Sequence, residues 1–252
     1  MKLQVVDSLI VKIHKNRILL GAEAALMVGA KISSLLGQQE TVNVIFASAP
    51  SQNEFLDAIV ENTTVDWSRV NAFHMDEYIE LPENDPHLFA SFLHKKIFNN
   101  LPFRSVNYIN GNAADIGAEC RRYTKLLAQF PADVICLGIG ENGHLAFNDP
   151  HVADFNDLSK VKMVKLDAAS RQQQINDGCF TELSKVPGYA ITLTIPALMA
   201  GRYLYCMVPG KNKAQAVYNT LKNGIIEKYP STILRKHENA VLFLDKSSAS
   251  LI

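Results

Sequence analysis

The chain has 252 residues, 48% of them hydrophobic, with 25 acidic and 25 basic side chains and a formal net charge of zero. That balance, with no long run of either sign, argues against a nucleic-acid or anionic-membrane surface, and the length suits one domain with a sizeable core. Four widely spaced cysteines, at 120, 136, 179 and 206, contain no Cys-x-x-Cys pair for zinc or redox work.

From the N-terminus, the apolar pattern of residues 1–7 breaks too soon for a signal peptide, and no stretch is expected to span a bilayer, so a cytoplasmic protein is expected. Residues 16–36 place Ile18, Leu19, Ala22, Ala25, Leu26, Val28, Ile32 and Leu35 at helical spacing and stop at Gly37. A strand is predicted over 42–46, then a helix from about Asn53, capped by Ser51 or Asn53. Strand 70–74 follows and ends in Met75-Asp76-Glu77-Tyr78. A helix is expected over 85–98 with Pro86 in its first turn, then a short run at 106–109 and a helix over 115–129. Beyond strand 134–137 come a strand at 161–166, a helix at 167–177, and strands at 189–195 and 203–208. A helix over 211–223 and a buried strand at 240–244 complete the chain. Cys136 and Cys206 sit in apolar runs and read as small buried hydrophobes.

Strands alternating with helices predict a three-layer α/β/α fold around a mostly parallel, Rossmann-like sheet with right-handed crossovers. With no repeat, low-complexity tract or linker, residues 1–252 read as a single domain.

The chemistry concentrates after strand 134–137, where Gly138, Gly140 and Gly143 are interleaved with Asn142, His144, Asn148 and Asp149. Open α/β sheets place their sites at such strand ends. Gly138-x-Gly140-x-x-Gly143 matches the dinucleotide fingerprint, but that motif needs a helix to open at the last glycine. Here Phe147-Asn148-Asp149-Pro150 forms a turn instead.

Gly140-Glu141-Asn142-Gly143-His144-Leu145-Ala146-Phe147-Asn148-Asp149-Pro150 resembles the active-site loop of the glucosamine-6-phosphate deaminases (isomerases), Gly-x-(Asn/Thr/Pro)-Asp-Gly-His-Ile-Ala-Phe-Asn-Glu-Pro. Phe73-His74-Met75-Asp76-Glu77-Tyr78-Ile79-x-Leu81-Pro82 is similar to that family's Phe-Asn-Met-Asp-Glu-Tyr-Val-x-Leu-Pro. Ser91-Phe92-Leu93-His94, the segment from Asn110 to Tyr123 and Val186-Pro187-x-Tyr189-Ala190-Ile191-Thr192 agree in order, so the resemblance runs from about residue 40 to the C-terminus. It implies that Asp76 moves a proton between C2 and C1 of an open-chain amino sugar and that His144 opens the pyranose ring. Both suit the chemistry: an aldose–ketose shift needs a positioned carboxylate, and ring opening needs a group that titrates near neutrality. Neither step requires a metal or redox cofactor. The implied partner is a small sugar phosphate, with no nucleic acid or membrane; a homo-oligomer is admitted.

The chain departs from the family in three places. Asn142 stands where the family has Asp, and Asp149 where it has Glu, so the charge behind His144 must come from Asp149 if its side chain reaches. The phosphate loop, Gly-x-Ala-Thr-Gly-(Ser/Thr/Gly)-Thr-Pro in the family, is Phe46-Ala47-Ser48-Ala49-Pro50-Ser51-Gln52-Asn53 here, without its glycines. Ser48, Ser51 and Gln52 remain as donors, with a helix start nearby. Asn176 falls where the family has an arginine, Arg171 matches an earlier one, and Lys213 matches a phosphate-contacting lysine. Glu77, Gly140 and Gly143 complete the expected substrate-binding set. Two alternatives stand beside the deaminase. A 6-phosphogluconolactonase-like hydrolase shares the Gly-x-Gly-Glu-Asp-Gly-His loop but continues Ala-Ser-Leu-Phe-Pro, and a non-catalytic sugar-phosphate sensor is permitted by Asn142.

Overall fold

The structure, a computed structural model, describes residues 2–252. It opens with a hairpin absent from the expected elements: β1 (Lys2–Val6) pairs antiparallel with β2 (Leu9–His14) across a turn with Asp7 at φ 51°. Then follow α1 (Arg17–Leu36), β3 (Val42–Phe46), α2 (Asn53–Val60), β4 (Val70–His74), β5 (Asp76–Tyr78) and α3 (Phe89–Leu93). The middle of the chain supplies β6 (Ser105–Asn107), α4 (Ile116–Gln129), β7 (Val134–Leu137), β8 (Val161–Lys165) and α5 (Ala168–Asn176). Last come β9 (Tyr189–Leu193), α6 (Ile195–Met199), β10 (Tyr203–Val208), α7 (Ala214–Lys222) and β11 (Ala240–Asp245).

Eight strands form one sheet in the order β1-β2-β11-β10-β7-β3-β4-β6, parallel throughout except for β1. Side chains alternate across such a sheet, and they divide the core accordingly. Val44, Phe46, Cys136, Met207 and Phe243 pack with the buried stripe of α1 and α2 on one face. Ile45, Ile135, Leu137, Cys206 and Leu242 pack with Tyr123, Leu127 and Val217 of α4 and α7 on the other. The three-layer α/β/α expectation therefore holds, and both strand cysteines are buried at 1% exposure.

The expected elements need four corrections. The strands predicted at 161–166 and 189–195 are not in the main sheet; β8 and β9 join β5 in a separate antiparallel sheet, order β5-β9-β8. Period-two alternation gives a strand but not its partner. The expected 85–98 helix begins only at Phe89, because Asp85 holds the His87 N–H in a turn; its last part, His94–Phe98, is π-helical. Neither Ser51 nor Asn53 caps α2, which continues from a 3₁₀ turn at Pro50–Gln52. By length and composition α1 is apolar enough to cross a bilayer, contrary to expectation. Its Leu20, Ala24, Val28, Ile32 and Leu35 are instead buried against the sheet and α2, the signature of a core helix.

The small sheet carries the first carboxylate into position. The chain leaves the main sheet at Met75, whose carbonyl accepts the Leu193 N–H at 2.8 Å, and β5 pairs Asp76 with Thr192.

Candidate active site

Strands β3, β4, β7 and β10 are parallel neighbours, so their carboxyl ends lie along one edge of the sheet. The segments that follow them deliver Ser48 and Ser51, Asp76, Gly138 to Gly140, and Lys213 to a single cleft. Its empty volume, open mouth included, is about 480 Å³. His144 lies on the same wall as Gly140, and α5 contributes Gln173 and Gln174.

His144 is anchored through its inner nitrogen. Nδ1 lies 2.9 Å from Asn142 Oδ1, 3.0 Å from Asp149 Oδ1 and 3.0 Å from Ser170 Oγ. Asn142 knits this group together: its Oδ1 also accepts the His144 backbone N–H at 3.0 Å, and its Nδ2 donates to Asp149 Oδ1 at 2.9 Å. Ser170 Oγ donates to the same carboxylate oxygen. Carbonyl and carboxylate acceptors together place the ring proton on Nδ1, which leaves Nε2 as the working nitrogen toward the cleft. Burial raises the Asp149 carboxyl, but the hydrogen bond and charge of His144, with bonds from Asn142 and Ser170, reverse this and hold it at about 2. Asp149 is thus an anion at neutral pH. Its shorter side chain reaches, and the charge absent at Asn142 is supplied from Asp149.

Asp76 and Glu77 are adjacent on a strand and therefore point to opposite sides. Asp76 faces the cleft at 6% exposure; burial first, and then the charge of Glu77, push its carboxyl well above the usual range. Glu77 points away. Its Oε1 accepts the N–H groups of Tyr78 at 2.9 Å and Phe89 at 3.0 Å, and Oε2 that of Ala90 at 2.8 Å, capping α3 from outside the helix. Burial raises Glu77 to about 7 against these three donors. Beneath Asp76, His74 is fully buried and accepts the Ile109 N–H at Nε2; burial lowers it to about 3, so it is neutral.

At the other end of the cleft Lys213 is 4% exposed and has no hydrogen-bond or ion-pair partner among the described residues. Burial lowers its pKa, with the charges of Asp177 and Glu141 acting in the opposite sense. Glu141 is tied to Asn212 Nδ2 at 2.8 Å and Asn176 Nδ2 at 3.2 Å, so the asparagine in the family's arginine position binds a carboxylate.

The cleft brings together Ser48, Ser51, Asp76, Gly140, His144 and Lys213, with Asn142 and Asp149 behind His144. Four expected binding residues lie elsewhere. Glu77 is occupied as a helix cap. Gln52, 1% exposed, stands behind the lining and donates to Ser51 Oγ at 3.1 Å and to the Met207 carbonyl at 3.3 Å. Arg171 donates to the carbonyls of Leu183 at 2.6 Å and Val186 at 2.8 Å, tethering the loop before β9. Gly143 serves the turn: it has φ +91° and its carbonyl accepts the Ser231 N–H. Gly140 is required for a different reason, since a Cβ there would lie 2.2 Å from His144 Cε1.

Ser170, Gln173 and Gln174 were missed by sequence reasoning. A signal was present: Asp167 caps α5 through the Ser170 N–H, and positions 170, 173 and 174 fall on one helix face. That face is buried against the His144 loop, where Gln173 Oε1 accepts the Glu141 N–H at 2.7 Å.

Known proteins resemble this chain in sequence and in fold. Residues 16–243 match the model of the family described as glucosamine-6-phosphate isomerases/6-phosphogluconolactonase. A glucosamine-6-phosphate deaminase of Bacillus cereus (strain B4264) is 36% identical over 194 residues, 77% of this chain and 72% of that protein. One of Bacillus anthracis (strain A0248) has the same identity and coverage. Among solved structures, a monomeric glucosamine-6-phosphate deaminase superposes with a TM-score of 0.87 at 26% identity, covering 96% of this chain and 99% of that one. The 6-phosphogluconolactonase of Thermotoga maritima, at 18% identity, TM-score 0.77 and coverage of 94% and 100%, shares the fold. The chain belongs to the glucosamine-6-phosphate isomerase/6-phosphogluconolactonase family.

Proposed function

We propose that this protein is an amino-sugar-phosphate deaminase/isomerase, acting on glucosamine 6-phosphate or its epimer galactosamine 6-phosphate. The observation that carries the reading is the meeting of Asp76, with a raised carboxyl, and an Asp149-backed His144 in one cleft. Two titratable groups in unlike environments are what an acid/base sequence needs. The relatives' names supply the substrate class.

In this reading His144 Nε2 takes the proton of the anomeric hydroxyl and, as imidazolium, passes it to the ring oxygen, and the ring opens to the aldehyde. Asp149 stabilises the imidazolium through Nδ1. Asp76 takes the proton from C2, the double bond shifts to C1–C2, and the proton returns to C1, leaving an imine at C2. Water adds to C2 and ammonia leaves, giving the ketose phosphate. Lys213, Ser48 and Ser51 are the donors for the phosphate.

The alternative, a 6-phosphogluconolactonase-like hydrolysis, could use His144 to activate water but gives Asp76 no proton to move. Purified protein offered glucosamine 6-phosphate, galactosamine 6-phosphate and 6-phosphogluconolactone separates the two. Ammonia released from an aminohexose phosphate supports the deaminase. Turnover of the lactone alone replaces it with the hydrolase, and turnover of none favours a sensor.

A further inference from the structure

At Asp149, outside the lining of the cleft, three side chains converge that the proposed reaction leaves partly unused. Asp149, His151 and Asp167 each offer one ligand atom, and these atoms all lie within 4.8 Å of one another. Each residue retains a free lone pair. Asp149 Oδ1 serves His144, Asn142 and Ser170, whereas Oδ2 is buried with no hydrogen-bond partner. His151 Nε2 lies 3.2 Å from the Lys165 carbonyl, which holds the ring proton there and leaves Nδ1 bare. Asp167 uses Oδ1 to cap α5 at the Ser170 N–H, and its Oδ2 lies 3.9 Å from His151 Nδ1.

A fully buried carboxylate oxygen without a donor is uncommon and calls for a counter-group. A cation would satisfy it. Two carboxylates and one neutral imidazole suit zinc and neighbouring divalent ions and balance the charge. The imidazole proton held by a backbone carbonyl is the outer-shell arrangement that such ligands adopt. With bonds of ~2.0–2.2 Å, a tetrahedral ion sets its ligand atoms about 3.4 Å apart, so the three must close by roughly an ångström. His151 follows Pro150 on a turn and its side chain is 45% exposed, so it can move without disturbing the core.

We propose that Asp149, His151 and Asp167 bind one divalent transition-metal ion and that the loaded ion slows the chemistry at His144. An ion on Oδ2 draws on the same carboxylate that stabilises His144 through Oδ1. The binding claim stands on the ligand geometry alone. The slowing rests on the reading of His144 as the acid/base.

The test uses the full chain, stripped by a chelator and dialysed to equilibrium against ZnCl2, beside His151→Gln. Wild type should take up one more tightly bound equivalent than the variant; the cysteines, common to both, cancel. Equal uptake overturns the site. Zinc should then reduce ammonia release from the aminohexose phosphate by roughly 5–150-fold in wild type, the usual range for coupled sites. His151→Gln should keep its rate with and without zinc. Differential uptake with unchanged wild-type turnover overturns the coupling. If neither protein releases ammonia, the activity reading has failed while the dialysis still decides the metal site.

Discussion

Asp149→Asn isolates the charge behind His144 while keeping the shape of the group. Asn can still accept from Nδ1, from Asn142 Nδ2 and from Ser170, so only the anion is withdrawn. The partners of Asp149 hold it at about 2 against an ordinary 3.8 even though burial acts the other way. At about 1.4 kcal/mol per pH unit, this corresponds to roughly 2 kcal/mol of stabilisation. The sign follows from a depressed carboxylate: the stabilisation is full above 3.8 and is lost as pH falls through about 2. His144 is the largest favourable contributor, so the imidazolium loses on the order of 1–2 kcal/mol, and ring opening slows about five- to thirtyfold. The assay is steady-state ammonia release from glucosamine 6-phosphate near neutral pH, with urea unfolding in parallel. Unchanged turnover in a folded variant would refute the claim that Asp149 replaces the missing charge at position 142.

Three further outcomes are expected. Glu77→Gln removes the charge that helps raise Asp76, so the acid limb of kcat/KM against pH should move to lower pH; a limb that stays or rises contradicts the coupling. Gly140→Ala would set a Cβ 2.2 Å from His144 Cε1 and 2.3 Å from Nε2, so turnover of the folded variant should fall about a hundredfold or more, since an ångström of misplacement has that effect. Lys213→Ala removes a charge-assisted contact of about 1.5–3 kcal/mol, so KM for the phosphorylated sugar should rise roughly ten- to a hundredfold with kcat little changed. If wild type handles the unphosphorylated amino sugar equally well, Lys213 does not read phosphate.

Much of this site was legible because strand ends announce themselves. Val134–Leu137 followed by three glycines and His144, and Val70–His74 followed by Asp76, put both groups at one edge once the strands are parallel. What could not be read is pairing. β5, β8 and β9 look like any strands until Asp76 pairs with Thr192, and β2, with Leu9 and Val11 buried, pairs on its inner side with β11 from the far end of the chain. Glu77 was readable in principle, since residue i+1 of a strand faces away from residue i. The destination of its carboxylate, the N–H groups of Phe89 and Ala90, was not, because it depends on where α3 begins. Gln52 and Arg171 went astray for the same reason: their polar ends satisfy backbone carbonyls brought close only by the fold.

The central claim is that Asp76 carries the proton between C2 and C1. Its most direct measurement uses glucosamine 6-phosphate deuterated at C2, followed by NMR, with wild type and Asp76→Asn side by side. Wild type should remove the label from C2 as ammonia appears. Asp76→Asn should bind the sugar phosphate with little loss of affinity, since only the acid/base function is gone, and leave the label at C2 indefinitely. Loss of the label and release of ammonia by the variant at the wild-type rate would contradict the account.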